Sequence, residues 1–471
     1  MVQKFLRWVR EVVSNMLHIP NIKQALKMDV AVSAKMQTAI DTWANLFLDQ
    51  APWLDDTTRS LGLPASIAGE IARLVTVELE STISGSPRAD FLQGEYQREV
   101  LARLRVNTEI ACAGGGMVFK PYVDGKRIAV DCVPAWRFVP TEFNSSQEMT
   151  GAVFLEQVVK GKTFYTRMEH HRLTREGYQI RNAAYSSPCR ESLGTPCALA
   201  AVDEWAGLEP ELTIQYRDGT APEGMLFSYF RVPLGNTVDP ESPLGVSVYS
   251  RAVGLIKEAD RQYSRILWEY EGSELAVDAS QGALQVPGPD GKPPVLPPRS
   301  KRLFRELAID QGSGGELYKV FSPAIRDSAL FHGLDQLLKR IEFNCSLAYG
   351  TLSDPQTVDK TAEEIRSSKQ RSYSAVCELQ QALQGALEHL VWAMDFYATL
   401  YKLAPRGDYE VSFTWGDGIL QDTDKEYLRR KDLADNGYLK PEKLVAWYFG
   451  VDEEEAKSYM PEAAPPLFGE E

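Results

Sequence analysis

Tyr349-Gly350-Thr351-Leu352-Ser353-Asp354-Pro355-Gln356-Thr357-Val358-Asp359-Lys360-Thr361-Ala362-Glu363-Glu364 reads as a short loop of turn residues between two long helical patterns. The entering pattern, from about Ser328 to Ala348, places Leu330, Phe331, Leu334, Leu337, Leu338, Ile341, Cys345 and Ala348 on one stripe at spacings of three and four. The leaving helix has a start signal in Thr361 and Glu364, a capping box that satisfies two otherwise unpaired backbone N–H groups. Within the loop, Gly350 and Pro355 permit a tight excursion. Thr351, Ser353, Gln356 and Thr357 offer neutral hydrogen bonds, and Lys360 carries the only positive charge.

Working outward, Thr361 to about Leu403 repeats Ile365, Val376, Leu379, Leu383, Leu387, Leu390, Met394 and Tyr397 at helical periods, a helix of roughly 60 Å if unbroken. On the other side Tyr249, Val253, Ile256, Tyr263, Ile266 and Tyr270 mark one face of a helix ending near Gly272. Residues 273–325 interrupt the helical pattern with strand-like pieces at Leu275–Val277, Leu303–Ile309 and Glu316–Phe321, around a Gly/Pro-rich stretch from Val286 to Pro298. A small β-rich module is thus inserted between two long helices.

Upstream, residues 22–112 read as mostly helical, with Ile67–Ser84 ambiguous between periods. Met117–Tyr122 and Arg127–Val133 then alternate around Asp124-Gly125, a type I′ hairpin signal. Ala152–Val159, Thr163–Arg172 and Tyr178–Ala184 follow as a meander with turns at Lys160-Gly161 and Glu176-Gly177, and Met225–Val232 reads as another strand. The class is α+β with antiparallel strands. Asp239-Pro240-Glu241-Ser242-Pro243-Leu244-Gly245 is a rigid connector that continues neither helix nor central strand. Beyond the long helix come a strand at Tyr409–Trp415, short helices, and an acidic end from Val451 to Glu471.

The 471 residues carry 51 Lys and Arg against 65 Asp and Glu, a net charge of −14, so no global attraction draws the chain to nucleic acid. Cys112, Cys132, Cys189, Cys197, Cys345 and Cys377 form no C-x-x-C pair and read as reduced thiols of an intracellular protein. Met1–Leu17 has Phe5, Leu6, Trp8, Val9, Val12, Val13 and Met16 at helical spacing, but Lys4, Arg7, Arg10 and Glu11 break the run. It reads as a surface helix docked on its own domain, with no membrane partner.

Catalytic motifs fail on their context. Gly161-Lys162-Thr163 ends like a phosphate-binding loop, yet Glu156 stands where the template needs Gly, and a strand follows. Gly114-Gly115-Gly116 lies between helix and strand, the order of a helix stop. His170 and His171 are adjacent on one strand, project to opposite faces, and are expected to be exposed or interfacial. Asp417, Asp422 and Asp424 fit no calcium loop. The expectation is a chain that is not an enzyme, with no cofactor and no metal. The basic run Arg299, Lys301, Arg302 and Arg305, beside Pro294, Pro297 and Pro298, reads equally as a partner-binding patch or as a solvated sheet edge.

The order of these parts resembles the portal (head–tail connector) proteins of tailed double-stranded DNA bacteriophages, siphophage type, over nearly the whole chain. Matching stretches are Ser242-Pro243-Leu244-Gly245 with Asp260, Trp268-Glu269-Tyr270-Glu271, Thr361-Ala362-Glu363-Glu364-Ile365, Phe413-Thr414-Trp415-Gly416-Asp417, and Gly450-Val451-Asp452-Glu453-Glu454-Glu455-Ala456. Glu363 departs from the commoner Thr-Ala-Thr-Glu form. The resemblance implies an α+β wing over 1–242, a first stem helix within 243–272, a clip over 273–325, and a second stem helix over 326–348. A tunnel loop over 349–360, a long wing helix over 361–404 and a C-terminal wing and crown over 405–471 follow.

It further implies a homo-dodecameric ring at one capsid vertex of the virion, assembled in the host cytoplasm, through which DNA is packaged and ejected. The implied partners are further copies of the chain, the terminase large subunit, a head–tail adaptor, the major capsid or scaffolding protein, and double-stranded DNA without sequence specificity. On that reading Thr351, Ser353, Gln356, Thr357 and Lys360 face DNA, and Arg299, Lys301, Arg302 and Arg305 bind partners. Ile256, Tyr263, Leu334 and Ile341 form the ring interface, because amphipathic stem helices need neighbours to cover their stripes. The alternative is a nucleic-acid-processing enzyme, nuclease or ATPase, of the packaging apparatus.

Overall fold

The structure, a computed structural model, describes residues 22, 30–190, 192–216, 219–274, 276–280, 304–307, 318–354, 362–416, 423–436, 438–449 and 452–459. They fall into two units, one of Met1–Val77 with Thr82–Ser412, the other of Glu78–Ser81 with Phe413–Glu471. The fold is α+β with mainly antiparallel strand pairing and a parallel pair in a small three-stranded sheet.

The first unit opens with helix α1 (Ala34–Phe47), started by Ser33, whose hydroxyl accepts the Met36 N–H at 3.2 Å. Helices α2 (Leu63–Thr76), α3 (Pro87–Glu99) and α4 (Leu104–Gly114) follow, with strand β1 (Glu80–Ser84) between α2 and α3. The ambiguous stretch 67–84 is therefore the end of a helix and a strand. Helix α4 stops at Gly115, whose φ of 90° is the left-handed conformation that glycine adopts without strain. A β-carbon on Gly115 would lie 2.7 Å from the Gly245 carbonyl oxygen, and one on Gly245 would collide with the Gly115 carbonyl. The glycine of the Ser-Pro-Leu-Gly connector is thus needed where two backbones touch.

Strands β2 (Gly116–Asp124) and β3 (Arg127–Pro134) pair with Asp124 opposite Arg127, so the turn residues are Gly125-Lys126. Only Gly125 has positive φ, 62°, which corrects the expected type I′ turn to one with glycine first, as in type II′. Strands β4 (Phe138–Phe143), β5 (Met149–Lys160), β6 (Thr163–Thr174), β7 (Gly177–Ser187) and β8 (Thr195–Cys197) form one sheet in that order, with β9 (Glu211–Ile214) also on β7. Strand β10 (Ser228–Arg231) pairs antiparallel with β2.

Helix α5 (Val253–Gly272) begins after a 3₁₀ turn at Ser250–Ala252, four residues later than the apolar spacing suggests. Val246, Val248 and Tyr249 are buried in the segment leading into it, where the Tyr249 hydroxyl donates to the Trp43 carbonyl at 2.8 Å. Their apolar character serves that path and not a helix face. Three short strands, β11 (Ala276–Ser280), β12 (Phe304–Leu307) and β13 (Tyr318–Phe321), form the inserted sheet, β11 parallel to β12 and antiparallel to β13. Helix α6 (Asp327–Asn344) then packs on α5.

Helix α7 (Ala362–Leu400) runs 39 residues, roughly 58 Å. It buries Val376, Leu379, Leu383, Leu387, Leu390 and Met394 in the core, lying against α2, β2 and β10. Each such side chain contributes about 1.5–3 kcal/mol by leaving water. Hydrogen bonds pin the helix sideways: Gln380 Nε2 donates to the Val75 carbonyl at 3.4 Å and His389 Nε2 to the Met225 carbonyl at 2.8 Å. Strand β14 (Glu410–Thr414) ends the body of the chain. The second unit holds helices α8 (Thr423–Asp435), α9 (Pro441–Phe449) and α10 (Glu453–Ser458).

Candidate functional site

Helices α5 and α6 form a hairpin whose far end carries the inserted sheet and whose near end leads into the loop after α6. At the far end Glu269 accepts three bonds from Arg326, at 3.3 Å from its backbone N–H and 3.1 and 2.8 Å from its guanidinium. This bidentate pair joins the residue before α6 to the last turn of α5 and fixes the base of the insert. Its hydrogen bonds and charge hold the Glu269 carboxyl below the usual range.

The near end is built on the last turn of α6. The Leu347 N–H donates to the Glu342 carbonyl at 2.9 Å and the Ser346 N–H to the Phe343 carbonyl at 3.3 Å, a Schellman closure. Ser346 sits in it at φ 58°, where glycine is usual. The Glu342 carboxylate, fully buried, accepts from the Leu352 N–H at 2.6 Å, the Ser353 N–H at 2.9 Å and the Ser353 hydroxyl at 2.9 Å. Two turns earlier on α6, Asp335 accepts from the Asp354 N–H at 3.0 Å and from Lys339 at 2.7 Å. Helix α7 completes the seat: Ser368 accepts the Tyr349 N–H at 2.9 Å, and the Arg371 guanidinium lies over the Phe343 and Tyr349 rings at 4.6 and 5.4 Å.

Residues 349–354 are therefore a fixed shelf and not an open excursion, which corrects one residue of the expected DNA-facing set. Ser353 is 4% exposed and its hydroxyl is spent on Glu342. Thr351 is exposed, with its hydroxyl donating to the Ala348 carbonyl at 2.6 Å. Gln356, Thr357 and Lys360 lie outside the described residues, as does Thr361 of the capping box.

The expected ring-interface residues also require correction. Ile256 is 1% exposed, Leu334 7% and Ile341 0% in the single chain, so they have no surface left for a neighbour. An amphipathic stripe needs a cover, and here α5, α6 and the adjoining core supply it within the chain. Tyr263 is half-buried. Leu267, Trp268, Tyr270, Phe331 and Phe343 are the large apolar side chains that the hairpin leaves exposed, Trp268 at 68%. Of the basic run, Arg299, Lys301 and Arg302 lie outside the described residues, and Arg305 stands on β12 opposite Asp278.

His170 and His171 project to opposite faces of β6, but both are buried, against the expectation of exposure. Each face of the sheet is covered. Met168 shares the His170 side with Val139, Val153 and Leu193. On the other side His171 Nε2 donates to Glu169 at 2.7 Å, leaving Nδ1 to accept the Tyr178 hydroxyl at 2.6 Å. Lys120 closes the chain on Glu169 at 2.6 Å. Burial alone would raise the Glu169 carboxyl, but Lys120, His171 and Arg167 together hold it well below the usual range. Tyr178, His171, Glu169 and Lys120 thus form one hydrogen-bonded chain with no exposed end, and sequence reasoning missed it because its members come from three strands. Gly161-Lys162 forms the turn between Lys160 and Thr163, with Gly161 at φ 64°.

A cavity of about 680 Å3 opens between the β4–β5 turn and α7, lined by Glu148, Glu223, Tyr229, Arg231, His389 and Trp392 among others. Two of its polar groups hold the fold: the Tyr229 hydroxyl accepts the Gly245 N–H at 3.2 Å, and His389 is tied to Met225. The buried Arg231 Nε has no hydrogen-bond partner among the described residues. Among the described residues no group of three or more His, Cys, Asp or Glu could hold a metal ion. Asp417 and Asp422 lie outside them. Among them, too, no helix is long and apolar enough to cross a membrane.

No protein-family model matches the chain, and no curated protein does. A solved structure described as the neck of a native GTA particle, computed with C12 symmetry, aligns with 83% of this chain and 90% of that one. The identity is 11% and the TM-score 0.41. What the residues here build is a helix hairpin clamped at both ends, by Arg326 and Glu269 at the insert and by Glu342 and Ser353 at the loop.

Proposed function

We propose that this chain is a structural component of a phage head–tail junction, and specifically the portal subunit of a tailed double-stranded DNA bacteriophage. The observation that carries the reading is the order and anchoring of three elements: a helix hairpin bearing a small sheet at its far end, a loop seated on a buried carboxylate at its near end, and a 39-residue helix returning through the core. Copies arranged head to tail would close into a ring, proposed as a dodecamer, with the exposed Leu267, Trp268, Tyr270, Phe331 and Phe343 of one hairpin meeting the next copy.

The ring would sit at one capsid vertex of the virion. The loop after Asp354 would line its channel and the inserted sheet would face the terminase large subunit during packaging and the head–tail adaptor afterwards. A net charge of −14 suits a channel through which DNA slides, since few counterions are released on contact. The role includes no catalytic step and no cofactor.

A phage genome with a null allele of this chain tests the reading. Heads that assemble empty, and fill when the chain is supplied in trans, support it. Filled heads without the chain overturn it.

A further inference from the structure

The second unit does not cover itself. Among the described residues of 413–459 only Ala456 is buried. Helix α9 carries Leu444, Val445, Trp447, Tyr448 and Phe449 and buries none of them. A helix with so many apolar residues normally turns a stripe of them inward.

Its Tyr448 and Phe449 instead stand in an aromatic row that runs from the half-buried Tyr427 of α8 to the exposed Tyr459 after α10. Ring centroids are 5.3 Å apart for Tyr427 and Tyr448, 5.1 Å for Tyr448 and Phe449, and 5.3 Å for Phe449 and Tyr459. Tyr448, Phe449 and Tyr459 are 60, 58 and 53% exposed. The two flanks of the row differ in charge. Helix α8 has four bases and four acids in all, but its run Arg429, Arg430 and Lys431 is locally basic, followed by the exposed Asp432, with Arg430 over the Trp447 ring at 4.6 Å. The start of α10 contributes Asp452, Glu454 and Glu455, ahead of Lys457.

We propose that this row is an interface between copies of the chain, with the Arg429–Lys431 run of α8 in one copy docking against the acidic start of α10 in the next and the aromatic row sealed between them. A head-to-tail contact needs two different, complementary surfaces on one molecule, and this unit carries both. Aromatic side chains exclude water across such a seam at low entropy cost. The inference rests on the ring reading above and adds a second contact to it, on a unit separate from the helix hairpin.

The test uses the full chain in three charge variants: R429E/K431E, E454K/E455K, and the four combined. Either pair alone should raise the concentration for half-assembly by about tenfold or more, and the combination should bring it back near the wild-type value. Separately, p-benzoylphenylalanine at position 448 should cross-link one copy to another on illumination. If the wild type assembles while both reversals assemble as well as it does and position 448 gives no inter-copy product, the inference is overturned and the ring reading stands. Reversals that weaken assembly without mutual rescue also overturn it. A wild type that stays monomeric overturns both.

Discussion

The Ser353 hydroxyl donates to the carboxylate of Glu342, 2.9 Å away and eleven residues earlier, and both groups are buried. Since that carboxylate also accepts two backbone N–H groups, it is the seat on which the loop after α6 rests. Glu342→Gln replaces one acceptor oxygen with a donor facing donors, and should lower the free energy of unfolding by about 1–3 kcal/mol. Ser353→Ala, which removes one bond and leaves the backbone pair intact, should cost about 1 kcal/mol. Urea unfolding of the three proteins side by side checks the order wild type, Ser353→Ala, Glu342→Gln.

Ser346→Gly should be stabilising. Ser346 holds φ 58° at the end of α6, a conformation that costs a residue with a β-carbon about 1 kcal/mol and glycine little. Glycine also loses more entropy on folding, so the net gain should be a few tenths to about 1 kcal/mol, read as an upward shift in urea midpoint. Ser346→Val should go the other way.

Ile256→Asp and Trp268→Glu separate the chain's own core from its outer surface. Ile256 is 1% exposed, so a carboxylate there should cost several kcal/mol and prevent folding of the single chain. Trp268 is 68% exposed, and its replacement should leave chain stability within about 0.5 kcal/mol while weakening self-association. Circular dichroism melts paired with sedimentation velocity distinguish the two effects.

Stability should fall as the pH drops below that of free histidine. Burial, with His171, Arg172 and Arg181 nearby opposing a further positive charge and only Glu142 favouring it, pulls the His170 pKa down to about 4. Between pH 6.5 and about 4 the unfolded chain binds the proton that the folded chain refuses, so stability is fully present above 6.5 and lost on the way down. Burial lowers the His171 pKa as well, which adds in the same direction. His170→Gln should remove about 2 kcal/mol of that dependence. Urea midpoints at pH 7.5 and pH 4.5 for both proteins measure it.

The strong periods of this chain carried most of its architecture. The hairpins around Gly125 and Gly161, the meander after Met149, and the 39-residue helix can all be read from spacing and turn glycines. The failures have physical causes. Tyr249 extends the apolar spacing of α5 because it is buried against α1, not because it is helical. The stripe through Ile256, Leu334 and Ile341 says that these side chains need a cover, and nothing in a period says whether that cover is intrachain. Ser353 looks like a solvated loop residue because its partner is a single carboxylate on the preceding helix. The Lys120, Glu169, His171 and Tyr178 chain was illegible for the same reason, since cross-strand register puts together residues that sequence keeps apart.

The central claim is that copies of this chain close into a ring around a channel. Imaging of the purified full-length protein by negative-stain electron microscopy, with particle mass measured on the same sample, tests it most directly. The account predicts closed rings with a central hole and a mass near an integral multiple, expected to be twelve, of the chain mass of 52.7 kDa. A monomer that persists across the micromolar range, with no ring in the images, would contradict it.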